Sequence, residues 1–134
     1  RVKLETMNKT DINIINLSED KANVDLALEG DRFVVECGEV DKYAPQSYSL
    51  IVEGKEEEYK LFSAEPGCPF CTTVERSKPT NEEGQEVKNQ DKLDITFNLT
   101  AEAQGVGVAK QVYLAYNSSE GTKRTRIEFK FFAK

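Results

Sequence analysis

The chain contains no histidine. That absence removes the commonest general base and the commonest transition-metal ligand together. Ser/His/Asp and Cys/His nucleophile arrangements are excluded with it. Tryptophan is missing too, so no indole platform is available for stacking a base or a sugar. No run of about 18 apolar residues occurs, and no segment reads as a membrane-spanning helix. The charged-then-apolar pattern of a secretion signal is also absent. The chain starts at Arg1, with Met7 as its single methionine, and reads as a mature chain or an excised ectodomain. Cysteine is scarce, and the three present are an odd number that cannot all pair within one chain.

What is present describes one small domain. A length of 134 residues suffices for a single core. The charged fraction of 31% exceeds the usual quarter. The net charge of −6 lacks the basic surface that a nucleic-acid binder needs, and it opposes attraction to anionic lipid. Basic proteins, cations and uncharged ligands remain as partners. The simplest role of the charge is solubility.

Apolar residues alternate at period two along most of the chain. Val2 and Leu4, Ile12 and Ile14, and Val24, Leu26 and Leu28 each read as strands. Glu29-Gly30-Asp31 is a hairpin turn into the more continuously apolar Arg32-Phe33-Val34-Val35-Glu36-Cys37. Residues 38–45 read as a loop. Tyr48, Leu50 and Val52 form the next strand, followed by Tyr59-Lys60-Leu61-Phe62 and by residues 70–76, where Thr72, Thr73 and Val74 favour strand. Residues 77–91 are an exposed polar loop or long hairpin tip. Leu93, Ile95, Phe97 and Leu99 give the cleanest alternation, which turns Asn98 toward solvent. Residues 99–104 are a short connector. Gly105-Val106-Gly107-Val108 suggests a bulged strand, and Asn117-Ser118-Ser119-Glu120-Gly121 a hairpin tip. Thr125, Ile127, Phe129 and Phe131 mark the last strand, whose rhythm Phe132 breaks.

About nine or ten short strands without a convincing helix are the pattern of an all-β sandwich or barrel. The expected fold is a single antiparallel β-sandwich over residues 1–134, broadly immunoglobulin-like in architecture. The Cys…Trp…Cys core of true immunoglobulin domains is not available to this chain.

Four sites match the N-glycosylation acceptor pattern: Asn8-Lys9-Thr10, Asn16-Leu17-Ser18, Asn98-Leu99-Thr100 and Asn117-Ser118-Ser119. Half of the eight asparagines lie in such sites, where ordinary Ser and Thr usage would put about one in eight. Together with a Cys-x-x-Cys pair this favours a secreted protein, or one on the luminal or extracellular face of a membrane. An exported bacterial protein rich in Asn and Thr fits the same composition.

The densest chemistry lies in Glu65-Pro66-Gly67-Cys68-Pro69-Phe70-Cys71-Thr72-Thr73. Cys68-Pro69-Phe70-Cys71 resembles the redox motif of the glutaredoxins, and residues 60–71 resemble that family's strand, loop and cysteine pair. The resemblance implies a thiol-disulfide oxidoreductase with Cys68 as nucleophile and Cys71 as resolving thiol, activated at a helix N-terminus. It covers about twelve residues. The helix it requires after Cys71 meets β-favouring residues and then Pro79. The other reading is a local Cys68–Cys71 disulfide that clamps a tight loop, stiffened by Pro66, Gly67 and Pro69 and presenting Phe70. Cys37 is then a buried thiol; alternatively it pairs with Cys68 or Cys71.

Two cysteines without histidine make a poor zinc site, and no metal or cofactor is expected. Glu56-Glu57-Glu58 lacks the spacing of a calcium loop and reads as a solvated hairpin face. Lys123, Arg124, Arg126 and Lys130 read as the polar face of an edge strand. The leading expectation is therefore a non-catalytic binding module, free or as part of a membrane-anchored protein or complex, that contacts a protein partner through Pro66 and Phe70. A carrier of an apolar ligand between the sheets is the further alternative.

Overall fold

The computed structural model describes residues 11–18, 25–29 and 32–134. The expected strand at Val2 and Leu4 lies outside the described residues. Nine strands follow in order: β1 (Ile12–Asn16), β2 (Asp25–Glu29), β3 (Arg32–Val40), β4 (Gln46–Gly54), β5 (Lys60–Pro66), β6 (Thr72–Ser77), β7 (Gln90–Phe97), β8 (Val106–Ser118) and β9 (Gly121–Ala133). They form a four-stranded sheet ordered β1-β4-β7-β6 and a five-stranded sheet ordered β2-β3-β9-β8-β5. The all-β, two-sheet reading of the sequence holds, with no helix among the described residues.

The two sheets share one core. In β7 the alternating Asp91, Leu93, Ile95 and Phe97 face inward, as the period of a pleated strand requires. Ile127, Phe129 and Phe131 answer them from β9. Tyr48 on β4 and Phe97 on β7 meet Phe129 on β9 at ring-centroid distances of 5.7 and 4.8 Å. Phe97 also meets Phe131 edge-on at 5.1 Å. These are the tilted and edge geometries that the ring quadrupole favours.

The expectation of a purely antiparallel sandwich needs one correction: β3 pairs with β9 in parallel. After its hairpin with β2, β3 leaves for β4 in the opposite sheet, so its free side lies along the last strand of the chain, running the same way. The expected loop at residues 38–45 is also shorter, because β3 continues to Val40. A bulge makes this possible. The β3–β9 register shifts between Glu36 and Gly38, and Gly38 sits at φ 70°, in the left-handed region that glycine enters without strain. Buried positions accordingly step from Phe33, Val35 and Cys37 to Val40.

A second bulge lies in β5 between Leu61 and Ser63, and it ejects Phe62 to 48% exposure. The bulge expected near residues 105–108 is absent: β8 and β9 pair without a shift from Val106↔Ala133 to Ser118↔Gly121. β9 is central in its sheet, not the expected edge strand. Its Lys123 is held by Asp11 at 2.8 Å and Glu120 at 2.6 Å. Of the sheet's two edges, β2 and β5, β5 is guarded differently. Arg76 on β6 donates to the carbonyls of Leu61 and Phe62 at 2.7 and 3.1 Å. The polar stretch after β6 ends at Asn89 rather than residue 91, since β7 begins at Gln90. It folds back on itself through an isolated bridge, Thr80↔Glu86.

The end of the sandwich opposite residues 66–71 is closed by a polar bond inside the core. Tyr59 donates its hydroxyl to Asp91 at 2.8 Å, and Lys78 meets the other carboxylate oxygen at 2.9 Å. Asp91 is 3% exposed, and a buried carboxylate needs such partners. Gly54 leaves room for the Tyr59 ring, since a Cβ there would lie 2.0 Å from Tyr59 Cγ. Gly54→Ala is therefore expected to lower the unfolding free energy by about 2 kcal/mol or more, read from the midpoint of a urea titration.

Burial pushes the phenols of Tyr48 and Tyr59 well above their ordinary value and raises that of Tyr116. For Tyr59 the hydrogen bond to Asp91 adds to the shift. In the unfolded chain these phenols ionise near pH 10, while the folded protein keeps them protonated. Their stabilisation is complete below about pH 10 and is lost as pH climbs above it. Alkaline titration should show their phenolate absorbance at 295 nm rising together with loss of the β-sheet circular dichroism. Tyr43 and Tyr113 are exposed, so ionisation of more than two of the five tyrosines in a still-folded protein would contradict this.

Candidate functional site

Cys68 and Cys71 form a disulfide, with Cα atoms 5.5 Å apart. The bridge closes the short connection between β5 and β6. Cys37 is buried at 4% exposure and lies outside the bridge. Backbone bonds fix the clamp on both sides. Gly67 N–H donates to Gln111 O on β8 at 2.8 Å, and Asn98 N–H donates to Cys71 O at 2.7 Å. Within the loop, Cys71 N–H donates to Cys68 O at 3.2 Å. Pro66 is the last residue of β5, half-buried and paired with Val112. Phe70 is 99% exposed.

No helix follows Cys71; β6 starts at the next residue, Thr72. The helix N-terminus that would lower the Cys68 pKa in a glutaredoxin-like site is thus replaced by a strand.

A second element comes up beside the clamp. The turn between β3 and β4 holds Tyr43 at 66% exposure. Its backbone is set by Asp41, whose carboxylate accepts Tyr43 N–H at 2.9 Å and whose carbonyl accepts Ala44 N–H at 3.1 Å. Gln46 Nε2 donates to the carbonyls of Asp41 and Ala44. Lys42 lies 4.9 Å from the Tyr43 ring centroid and donates to Glu102 O. Nothing in the sequence reading singled out Tyr43. The available signal was an aromatic residue set among turn formers, with Asp41 before it and Pro45 after it.

Between these elements runs a groove of about 310 Å³. Tyr43, Ala44 and Pro45 line it from the turn, and Phe70 and Cys71 from the clamp. Thr73, Thr96, Phe97, Asn98 and Thr100 line the remainder. None of these side chains is charged, in a chain that is 31% charged. The arrangement offers two exposed rings, several hydroxyls and one carboxamide. That chemistry suits contact with an uncharged surface.

The other candidates disperse. Asn8 lies outside the described residues. Asn16 and Asn117 are half-buried on β1 and β8, whereas Asn98 is exposed beside the groove. Glu56 is tied to the far end of the sandwich, where it accepts from Ser119 Oγ at 2.7 Å and its carbonyl accepts from Asn89 at 2.9 Å. Among the described residues no three Cys, Asp or Glu side chains gather as a metal site.

The fold has a solved counterpart. The chain is similar to the Vibrio cholerae VesB protease, with a TM-score of 0.58 and 10% sequence identity. The alignment covers 98% of this chain and 35% of the protease chain, so the chain spans about a third of that protein's length. A family 123 glycoside hydrolase from Clostridium perfringens aligns with a TM-score of 0.42 and 7% identity over 93% of this chain and 28% of its own. No protein-family model matches, and neither does any curated protein sequence. At such identity the likeness to VesB speaks to the β-sandwich alone.

Because Phe70 touches so little of the protein, Phe70→Ala should change the unfolding free energy by less than about 0.5 kcal/mol. A larger loss in thermal or urea denaturation would mean that the ring is part of the packing.

Proposed function

We propose that the chain is a non-catalytic binding module of immunoglobulin-like type that docks a protein partner through the loops at the Cys68–Cys71 end. The observation that carries this reading is Phe70, fully exposed on a loop clamped by a disulfide and tied to β7 and β8. A rigid aromatic anchor loses little conformational entropy on binding, and such residues dominate interface energetics. Tyr43 stands across the groove as a second anchor.

The immunoglobulin-like assignment is supported by strand order. The order β4-β7-β6 parallels the B-E-D sheet, and β9-β8-β5 parallels G-F-C. Location outside the cytosol, secreted or on the luminal or extracellular face of a membrane, is supported by the disulfide and the density of acceptor sites. The protein belongs there as a free module or as part of a larger membrane-anchored assembly.

The test is capture of a partner from the protein's own cells, with wild type, Phe70→Ala and Tyr43→Ala as baits. Wild type should retain a partner that Phe70→Ala loses by tenfold or more, about 1.4 kcal/mol of binding free energy. Equal retention by all three baits would overturn the assignment of this end as the contact surface.

A further inference from the structure

Three of the four glycosylation acceptor sites fall on described residues, and their geometries differ. Asn98 is exposed just beyond β7. Its Oδ1 accepts both Thr100 N–H at 3.0 Å and Thr100 Oγ–H at 2.7 Å. This fixes the carboxamide and leaves Nδ2 without an acceptor among the described residues. At Asn117 the amide is already engaged: Nδ2 donates to Glu58 O at 3.3 Å. The hydroxyl two residues on, Ser119 Oγ, donates to Glu56 instead. Asn16 is half-buried, and its Ser18 is 7% exposed with Oγ accepting Ser49 N–H at 2.8 Å. Transfer needs an accessible Nδ2 and a Ser or Thr hydroxyl that can meet the same carboxamide. Asn98 alone of the three meets both requirements.

Asn98 also lines the groove between Tyr43 and Phe70. A glycan attached there starts inside the proposed contact surface. Sugar rings present C–H faces to aromatic rings and hydroxyls to threonine and asparagine. The groove supplies both kinds of partner and no charge.

We propose that Asn98, among the three acceptor sites on described residues, is the one that carries an N-glycan, and that this glycan lies over the Tyr43–Phe70 groove, controlling access to Phe70. The attachment rests on the proposed location outside the cytosol, and the control rests on Phe70 being the contact residue. The donor is a lipid-pyrophosphate-linked oligosaccharide, supplied with its transferase by the secretory pathway. Nδ2 of Asn98 attacks the anomeric carbon. The C–N bond forms as the C–O bond to pyrophosphate breaks, the electron pair leaves with the pyrophosphate, and the amide proton passes to a base of the transferase. The glycan is then a permanent rim of the groove, and only a partner able to share the surface with it reaches Phe70.

The absence of tryptophan makes the second half testable without knowing the partner. The full chain carrying Phe70→Trp is produced in a eukaryotic secretory host, alone and combined with Thr100→Ala. Peptide mass mapping reads occupancy at Asn16, Asn98 and Asn117. Of these three, Asn98 should be the dominant occupied site, and Thr100→Ala should empty it. Asn98→Gln serves as a second unglycosylated variant that keeps a side-chain amide. Acrylamide quenching of the single Trp should be roughly two-fold weaker in the glycosylated protein than in either unglycosylated variant, as expected for a ring shielded on one side from diffusing quencher. An empty Asn98 in secreted protein overturns the acceptor assignment while leaving capture by Phe70 intact. Occupied Asn98 with equal quenching overturns the control of Phe70. Loss of partner capture from wild type and unglycosylated chain alike would fail the binding reading alone.

Discussion

Phe97 joins the core to the surface. Its ring is fully buried against Tyr48, Phe129 and Phe131, yet it also lines the groove. The four rings come from both sheets and set the spacing between them at this end. Close-packed interiors have little slack, so a shift of this cluster moves the end of β7, and with it Asn98 and the strand against which the clamp hydrogen-bonds. The clamp is therefore held from below by ring packing and from the sides by backbone bonds to β7 and β8. The disulfide is the last of several constraints, and a ring of four residues adds only about 2 kcal/mol in the loop-entropy picture.

The strands were legible wherever the period of two ran unbroken. Leu93, Ile95, Phe97 and Leu99, and Ile127, Phe129 and Phe131, announced both β7 and β9 and their buried faces. The reading failed where the period slips. Cys37 to Val40 and Leu61 to Ala64 each advance three residues between inward positions, and a slip of one looks like a strand end until a partner strand shows it to be a bulge. The parallel pairing of β3 with β9 was out of reach for a related reason. Alternation tells which face a residue occupies, but not which strand lies beside it.

The candidate site was half visible. Cys68, Cys71, Pro66 and Phe70 are contiguous, so their concentration of special residues stood out in one window. Tyr43 joins them only through the fold. Its contribution depends on Asp41, Gln46 and Lys42 holding the turn, and on β3 and β5 ending at the same end of the sandwich. The Gly54–Tyr59–Asp91 arrangement was equally hidden. A glycine before an acidic run reads as a turn, and only the Tyr59 ring lying over it shows why a side chain is excluded. The basic residues of β9 misled because charge on a strand usually marks an edge, whereas Lys123 is balanced by Asp11 and Glu120 within a central strand.

Arg76 has a consequence beyond the strand it touches. By taking the carbonyls of Leu61 and Phe62, it removes from β5 two of the acceptors that an incoming extended chain would use to lengthen the sheet. A border closed in this way resists seeding of fibrils and promiscuous strand exchange at high concentration. It also decides how a neighbour is read on that flank. Main-chain pairing is indifferent to sequence, so with that route closed discrimination falls to shape and chemistry at side chains. A single guanidinium thereby blunts part of one border of the sheet against main-chain pairing.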